Sequence, residues 1–537
     1  MYDTSIPVLI IGGGPVGLST ALFLAQQGTP SLVIERHPGT SIHPRARGIN
    51  IRTMELFRQL GMDDAIREAG TALVNNKYFL VVETLAGAEL SRFERFTLGG
   101  EEQLLTPQVS PAQSCLCAQD ELEPILVQAV RKRGGTVRFG CELVSFERDD
   151  DGVTAQIKER TTGRVQTIRA DYLVAADGAH STIRQRLHIP TTGRGILAHE
   201  INIYFRADLR ALTQDRPFIV CYVKNPSIQG VLLSVNNTDR WLLNAPYSPE
   251  QGESPADFTP ERCQELVRLA VGLPDLVPEI LGILPWEAAV RVAKRYQQQR
   301  IFLVGDAAHV MPPSGAFGMN TGIHDAHNLA WKLAAVLNGQ ASPVLLTTYE
   351  DERRPVAQLT TEQAGLRLAG NISIDGPGKI EGLIDDACII LGYQYRSSAI
   401  IPEKLSTPPV VTLDLHGQPG TRAPHLWVER QGQRISLLDL FTTRFVLLIG
   451  PDGLTWYESA SHLAAHGLPI DAYRVGPGGD LHELEGNWPD VYGVSAEGAV
   501  LIRPDGFVAW RAYNLSENAQ QSLETLLLHL LGRTIVA

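Results

Sequence analysis

A glycine fingerprint set in a complete βαβ frame constrains this chain more than any other feature. Residues 7–11 form a short, fully apolar run of the kind that makes a buried parallel strand. Gly12-x-Gly14-x-x-Gly17 follows at once, then residues 18–27 with helical composition and Gly28 as a C-terminal stop. Residues 31–35 read as the second strand and end in an acid, Glu35. In such a unit the first glycine permits a tight turn, the second lets the backbone approach a pyrophosphate, and the third lets the helix pack closely on the strand. Pro15 and Val16 stand where the helix opens, and its free N–H groups and dipole favour an anion there. Glu35, with Arg36 beside it, lies at the strand end, where a carboxylate accepts hydrogen bonds from ribose hydroxyls. This frame predicts an α/β chain that binds a dinucleotide, and it does not separate NAD from FAD.

Two later motifs make that separation. Asp177-Gly178-Ala179-His180-Ser181-Thr182-Ile183-Arg184 follows the short apolar strand 172–176. Gly305-Asp306-Ala307-Ala308-His309 follows the strand 301–304. Asp306 stands at a strand end, in reach of a ribityl hydroxyl. The loop 312–320, which carries Pro313, Gly318, Met319 and Asn320, ends at a helix start. A helix N-terminus aimed at the flavin N1–C2=O edge stabilises the negative charge of the reduced ring. The three motifs in this order select FAD. No second glycine fingerprint serves a nicotinamide, since Gly476-Pro477-Gly478-Gly479 lacks the spacing and reads as a loop.

A chain of 537 residues exceeds one core. The order of elements predicts a discontinuous FAD-binding domain (1–190 and 291–400), a β-rich substrate domain (191–290) inserted into it, and a C-terminal αβ block (407–537). Helices are expected at 52–60, 120–133, 320–337 and 344–368, the last interrupted or kinked near Pro355. The Pro- and Thr-rich stretch 407–422 reads as a linker. Residues 499–502 and 507–510 read as a hairpin turning at Arg503-Pro504-Asp505-Gly506, and a final helix covers 519–531. The net charge of -12 argues against nucleic acid and anionic membrane as partners. The six cysteines show no C-x-x-C pair or zinc spacing, which predicts reduced thiols, no metal site and a cytoplasmic setting. The apolar start carries Asp3 and has no basic residue before Arg36, unlike a signal peptide, and no run of eighteen apolar residues occurs.

With these motifs in view, the chain resembles the group A FAD-dependent aromatic monooxygenases of the p-hydroxybenzoate and phenol hydroxylase type. Within them it is most similar to the aromatic-polyketide hydroxylases, of which aklavinone hydroxylase is an example. The likeness runs over essentially the whole length and is most specific at Pro44-Arg45-Ala46-Arg47-Gly48, at Asp177 to Arg184, and from Gly305 through Asn328-Leu329-Ala330-Trp331-Lys332-Leu333. It implies that Gly12, Gly14, Gly17 and Glu35 hold the ADP half of FAD. It further implies that Arg45, or Arg47, lies near the pyrophosphate, and that Gln119 contacts the flavin. Asp177 serves FAD pyrophosphate and NAD(P)H, Asp306 takes the ribityl chain, and Gly318, Met319 and Asn320 surround the isoalloxazine. The fold implied is Rossmann-like, with a C-terminal block resembling the thioredoxin-like domain of phenol hydroxylase relatives. All six cysteines precede that block, which leaves it a structural or subunit-contact role. His43, His309 and His324 have no identifiable catalytic partner, and His309 is expected to position its loop.

The implied reaction uses FAD, O2 and transient NADPH or NADH to hydroxylate a phenolic or polycyclic aromatic through a C4a-hydroperoxyflavin, in a monomer or homodimer. The flavin carries that chemistry, and no catalytic side chain is assigned. The substrate is expected between the FAD domain and the β-rich insert, where Tyr204, Phe218, Tyr222 and Trp241 are candidate lining residues. Two other readings stay open: a Baeyer–Villiger or antibiotic-modifying flavin monooxygenase, and a non-catalytic flavin- or aromatic-binding protein. A flavin halogenase is disfavoured because the W-x-W-x-I-P motif is absent.

Overall fold

Five parallel strands carry the N-terminal unit in the computed structural model, in the spatial order Ile301–Leu303, Val165–Ala175, Thr4–Ile11, Ser31–Ile34, Thr136–Arg138. The structure describes residues 2–94, 108–369, 372–373, 376–377, 380–403, 413–516 and 518–533. Val8, Leu9 and Ile10 are fully buried, as a strand covered on both faces requires. The strand-like stretch 136–146 is two strands, because Gly140 at φ +66° turns the chain between Thr136–Arg138 and Cys141–Arg148.

Five helices frame the site: α1 (Pro15–Gln26), α2 (Ile51–Gln59), α3 (Gln119–Lys132), α4 (Phe317–Leu337) and α5 (Thr348–Ala369). The expected break near Pro355 is absent, and α5 runs through it. Pro355 is the eighth residue of α5, so the helix runs on past it while forgoing the hydrogen bond a main-chain N–H there would give to the Asp351 carbonyl.

A second sheet has eight strands, in the order His309–Val310, Glu279–Ala293, Thr191–Arg206, Arg240–Tyr247, Gln229–Ser234, Phe218–Lys224, Tyr78–Val82, Glu89–Glu94. Its last two strands come from within the span 1–190 read as FAD domain, and Tyr78–Val82 pairs parallel with Phe218–Lys224. One sheet face is apolar (Ile201, Ile203, Phe205, Trp241, Phe218) and is covered by the helix Pro260–Val271 through Cys263, Val267 and Ala270. That helix starts at the Thr259 cap and stops at left-handed Gly272.

The C-terminal block has a four-stranded sheet, Ile470–Arg474, Phe445–Ile449, Ala499–Ile502, Val508–Ala512, with the first pair parallel and the others antiparallel. The helices Leu454–Ala465 and Ala519–Leu530 bury Trp456, Leu463, Leu523 and Leu527 against it. The anticipated hairpin is present, turning through 503–506. Of the stretch read as a linker, residues 407–412 lie outside the described residues. Its end is not an exposed linker, since Thr421 and Arg422 are buried.

Candidate functional site

Three loops at the carboxyl ends of neighbouring parallel strands form the floor of one cleft: those after Thr4–Ile11, after Val165–Ala175 and after Ile301–Leu303. Strand adjacency is what brings motifs nearly three hundred positions apart together. Gly12 is at φ +112°, and a Cβ there would fall 2.1 Å from the Ala176 carbonyl oxygen. A Cβ on Gly17 would fall 2.0 Å from Gly12 O, so the helix can approach only without one. Val16 fills the next gap, 3.0 Å from where a Gly305 Cβ would stand.

Gly14 differs. A Cβ there would meet nothing closer than Glu123 Oε1 at 4.0 Å, so the protein's own packing does not require glycine at this position. The open space lies before α1, whose cap Gly14 offers no side chain and whose first turn holds Pro15 and no acid. Glu35 is buried at the same end. Its Oε2 accepts from Gly13 N at 2.7 Å, and its Oε1 accepts from His37 N at 2.8 Å. Arg36 is exposed beside it.

The second and third motifs are stapled by Arg184, which donates to Ala307 O at 2.8 Å and Ala179 O at 2.9 Å. Asp177 Oδ2 accepts from Ile183 N at 3.2 Å, whereas its Oδ1 is buried without a partner. Behind the third motif, Asp325 Oδ2 accepts from Gly305 N at 3.1 Å and pairs with His309 Nε2 at 2.7 Å, while Oδ1 accepts from Arg353 Nε at 2.8 Å. Burial opposes ionisation of Asp325, but His309 and Arg353 hold its carboxyl below the usual range. His309 is thus a loop anchor, as the sequence suggested. Asp306 keeps a solvent-exposed carboxyl, yet it is surrounded so deeply that burial raises its pKa against the pull of His309 and Arg45. A side chain both wet and surrounded faces a crevice.

Arg45 and Arg47 part ways. Arg47 is buried and donates to Ser234 O and, at 2.6 Å, to Ile219 O, tying its loop to the second sheet. Arg45 is exposed, donates no side-chain hydrogen bond among the described residues, and lies close enough to His43, Glu123 and Asp306 to act on each: it adds to the burial that lowers His43 and opposes the burial that raises Glu123 and Asp306. Gln119 opens α3 and gives its amide to Glu123 Oε1 at 2.6 Å. Asn320 is spent on the main chain: Nδ2 donates to Gly48 O (2.9 Å) and Ala316 O (2.7 Å), and Oδ1 accepts from Asn50 N (3.0 Å). The α4 cap, Ala316, is left-handed at φ +55° and caps nothing with its side chain. The first-turn N–H groups near Gly318, Met319 and Asn320 therefore have no side-chain cap. Gly318 and Met319 are half-buried and Pro313 is exposed. Sequence reading missed Glu123 and Asp325, and it placed Arg184 in the second motif without a role. Of the two missed, Glu123 carried a usable local signal, standing four residues after Gln119 on one helix face.

The other face of the second sheet is mixed: Tyr204, Leu242 and Val235 pack toward Ala118 just before α3, beside the polar side chains of Asn202 and Asn244. Strand alternation divides the four aromatic candidates. Tyr204 and Tyr222 lie on this face, whereas Phe218 and Trp241 pack behind it against the Pro260–Val271 helix. Trp241 Nε1 there donates to Ala207 O at 2.9 Å. On the cleft face, Asn202 Nδ2 donates to Asn244 Oδ1 at 2.6 Å, while Asn202 Oδ1 and Trp286 Nε1 are buried without partners. Glu200, opposite Trp286, is pushed up to about 7 by burial. The His43 ring lies tilted against Tyr204, centroids 5.5 Å apart, and burial with Arg45 nearby lowers its pKa to about 4.

Comparison with known proteins agrees with this arrangement. Residues 5–364 match the FAD binding domain family, and residues 416–534 match the aromatic-ring hydroxylase C-terminal domain. The chain is 40% identical to tetracenomycin A2 monooxygenase-dioxygenase of Streptomyces glaucescens, over 99% of this chain and 98% of that protein. It is likewise 40% identical to aklavinone 12-hydroxylase RdmE of Streptomyces purpurascens, over 99% of this chain and 100% of the other. The crystal structure of aklavinone-11 hydroxylase in ternary complex with FAD and aklavinone superposes with a TM-score of 0.89 at 40% identity, covering 99% of this chain and 100% of that one. With family models matching both ends and relatives matching nearly end to end, the chain belongs to the FAD-dependent aromatic-ring hydroxylases and is a flavin monooxygenase.

Proposed function

We propose that the protein hydroxylates a polycyclic, polyketide-like phenol, with FAD lying in the cleft of the three motifs. The observation that carries this reading is the open cradle at Gly14, where no protein atom explains the glycine but a pyrophosphate against the backbone does. The donor set fits the rest of the cofactor. Gly12, Gly14 and Gly17, with Pro15 and Val16 at the helix mouth, take the ADP pyrophosphate. Glu35 and Arg36 border the adenosine ribose, Arg45 offers an uncommitted cation, and Asp177 offers its unpartnered Oδ1. Asp306 takes the ribityl chain. Pro313, Gly318, Met319 and the main chain of Asn320 border the ring, and Gln119 contributes by holding Glu123.

Bound flavin supplies the hydride acceptor and the electrons that activate O2. In the balanced reaction NAD(P)H, a proton, O2 and an aromatic C–H become NAD(P)+, water and a phenolic C–O–H. The chain's own part is to bind, orient and exclude water. The α4 N-terminus favours negative charge at the ring edge beside it. The mixed sheet face, with Tyr204, Tyr222, Asn202 and Glu200, borders the substrate, and its unpartnered Asn202 Oδ1 and Trp286 Nε1 suit a ligand bearing both hydroxyl and carbonyl groups. A polycyclic substrate is further supported by the relatives named for tetracenomycin A2 and aklavinone.

In fold terms we read a Rossmann-like domain over 1–190 and 291–400, a β-rich substrate domain over 191–290 that borrows strands from 78–94, and a thioredoxin-like domain over 407–537. The last reading is supported by its strand order, by the helix Leu454–Ala465 that connects its parallel pair, and by the helix Ala519–Leu530 that follows its hairpin. No helix among the described residues is long and apolar enough to cross a membrane. We place the protein in the cytoplasm, as a monomer or homodimer.

The test is NAD(P)H oxidation in air by FAD-loaded protein, with simple and polycyclic phenols and with 18O2. Acceleration by polycyclic phenols with one labelled atom on a ring carbon is the expected result. Label in a lactone would redirect the reading to Baeyer–Villiger chemistry. A slow rate that no phenol accelerates would sink the hydroxylase assignment.

A further inference from the structure

The C-terminal block meets the cofactor domain through an internal ionic layer. Its hairpin turn Arg503-Pro504-Asp505-Gly506 enters among α2, α4 and α5. Arg503 donates to both oxygens of Glu352 on α5, at 2.6 and 2.9 Å. Asp505 Oδ2 accepts from Trp331 Nε1 at 3.1 Å and Asn328 Nδ2 at 3.3 Å, both on α4. The Asp505 carbonyl accepts from Arg52 NH2 of α2 at 3.0 Å. From the same block, Arg422 pairs with Glu55 of α2 through Nε at 3.0 Å and through NH2. Arg503, Asp505, Arg422, Glu55, Arg52 and Glu352 are each no more than 2% exposed.

α2 has two working faces. Arg52, Glu55 and Gln59, spaced by three and four residues, face the C-terminal block, where Gln59 Nε2 also donates to Leu438 O at 2.7 Å. Asn50 and Thr53 face α4. Asn50 caps α2 by accepting from Thr53 N at 2.9 Å, and its own N–H donates to Asn320 Oδ1 at 3.0 Å. Thr53 Oγ1 lies 3.0 Å from His324 Nε2. Asn320 in turn holds Gly48 and Ala316, the two segments that border the proposed flavin ring. Bidentate charged contacts fix register as well as proximity, which an apolar seam does not.

We infer that the 503–506 turn and Arg422 position the flavin: through α2 and the start of α4, the C-terminal block sets the loop 313–320 against the ring. This rests on the flavin site proposed above. Asp505 and Arg422 are positioning residues that touch no cofactor.

The test uses the full chain loaded with FAD and the variant Asp505→Asn, which keeps the side chain's shape and its main-chain bond to Arg52. Visible circular dichroism of bound FAD and its dissociation constant are read well below the unfolding temperature, alongside far-ultraviolet circular dichroism and gel filtration. The expected result is a folded protein with an altered flavin signal and FAD bound roughly 2- to 30-fold more weakly. An unchanged flavin signal and affinity, with only a lower melting temperature, would overturn the inference. If Asp505→Asn does not fold, Glu55→Gln on α2 carries the same test. Failure of both to fold assigns the layer to stability alone and overturns the inference too. A parent protein that binds no FAD would instead defeat the flavin site itself.

Discussion

The proposed cofactor cleft and the junction with the C-terminal block are built from the same side chains, carboxylates and arginines, put to opposite use. At the junction every carboxylate is closed off: Glu352 receives Arg503, Lys332, Asn328 and Ser397, and Asp505 receives Arg503, Trp331 and Asn328. In the cleft, Asp177 keeps one oxygen without a partner, Asp306 has a wet carboxyl whose ionisation burial resists, and Arg45 gives no side-chain hydrogen bond among the described residues. Burying a charge costs heavily unless it is paired. A fold that closes the carboxylates of one cluster, leaving there only Arg422 NH1 without a partner, and keeps carboxylate oxygens of the other open places that cost where a ligand would supply the missing partners. The difference separates scaffold from site without reference to any relative.

Removing one closed partner gives the largest expected effect. Glu352→Ala leaves Lys332 without its carboxylate and Arg503 with Asp505 alone in a fully buried layer, and we expect a loss of about 3–5 kcal/mol, read as a fall in the urea midpoint. A loss below about 1 kcal/mol would mean that the layer relaxes and that its closure is not what holds the block in place.

The cleft predicts a different pattern. Gly14→Val places carbon in a space the protein leaves empty and at a backbone angle any residue adopts, φ -76°. The apoprotein should melt within a few degrees of the parent, while FAD affinity falls about 100-fold, or ~3 kcal/mol, in a fluorescence titration. Gly12→Ala, by contrast, should not fold, because its Cβ meets the Ala176 carbonyl. Equal loss of stability in both would erase the distinction between a glycine needed by the fold and one needed by the ligand.

How much of this could be read in the sequence follows from how local each device is. The first βαβ unit was legible almost to the residue, since glycine spacing and apolar runs are short-range codes. Gly305-Asp306 and His309 were legible as a motif, but their anchor Asp325 was not, because nothing in an α4 heptad marks which acid turns back to the strand end. The strand Tyr78–Val82 escaped because its partner in the large sheet, Phe218–Lys224, lies far along the chain, and Glu89–Glu94 joins that sheet only through Tyr78–Val82. Thr191–Arg206 carries a buried apolar signal only in its second half, its first half being glycine-containing and largely exposed. Phe218 and Trp241 stood open between pocket and packed core for want of register, since one step along a strand changes the face. The turn 503–506 was read as a turn, but its partner Glu352 is 151 residues away, and no pattern pairs them.

A smaller effect tests the junction by pH. His327 sits on α4 near Arg52, and burial, then the nearby guanidinium, lowers its pKa to about 3. The unfolded chain's histidine titrates near 6.5, so between these values the unfolded state binds more protons and stability falls as pH is lowered. From pH 6.5 to 5 this one group should cost about 2 kcal/mol. His327→Gln should flatten the stability profile of the same chain by that amount over the same window. A profile of unchanged slope would show that the ring stays solvated, and that the junction is not as dry as its closed pairs imply.

Asp306→Asn makes the finest discrimination, since it predicts effects of opposite sign. Without ligand, the crevice carboxyl is held against burial, its folded pKa standing above that of the unfolded chain. Such a group subtracts stability as pH rises through its folded value, and the uncharged amide removes that cost. The apoprotein of Asp306→Asn should therefore be as stable as the parent or slightly more so at pH 7, by a margin kept small because water reaches the side chain. FAD affinity should fall about tenfold, or ~1.4 kcal/mol, as a charged acceptor for a ribityl hydroxyl becomes a neutral one. Melting the apoprotein and titrating it with FAD reads both. Were stability and affinity to fall together, Asp306 would belong with Glu352 and Asp505 among the groups that hold the fold, and the cleft would lose its claim to be built around an absent partner.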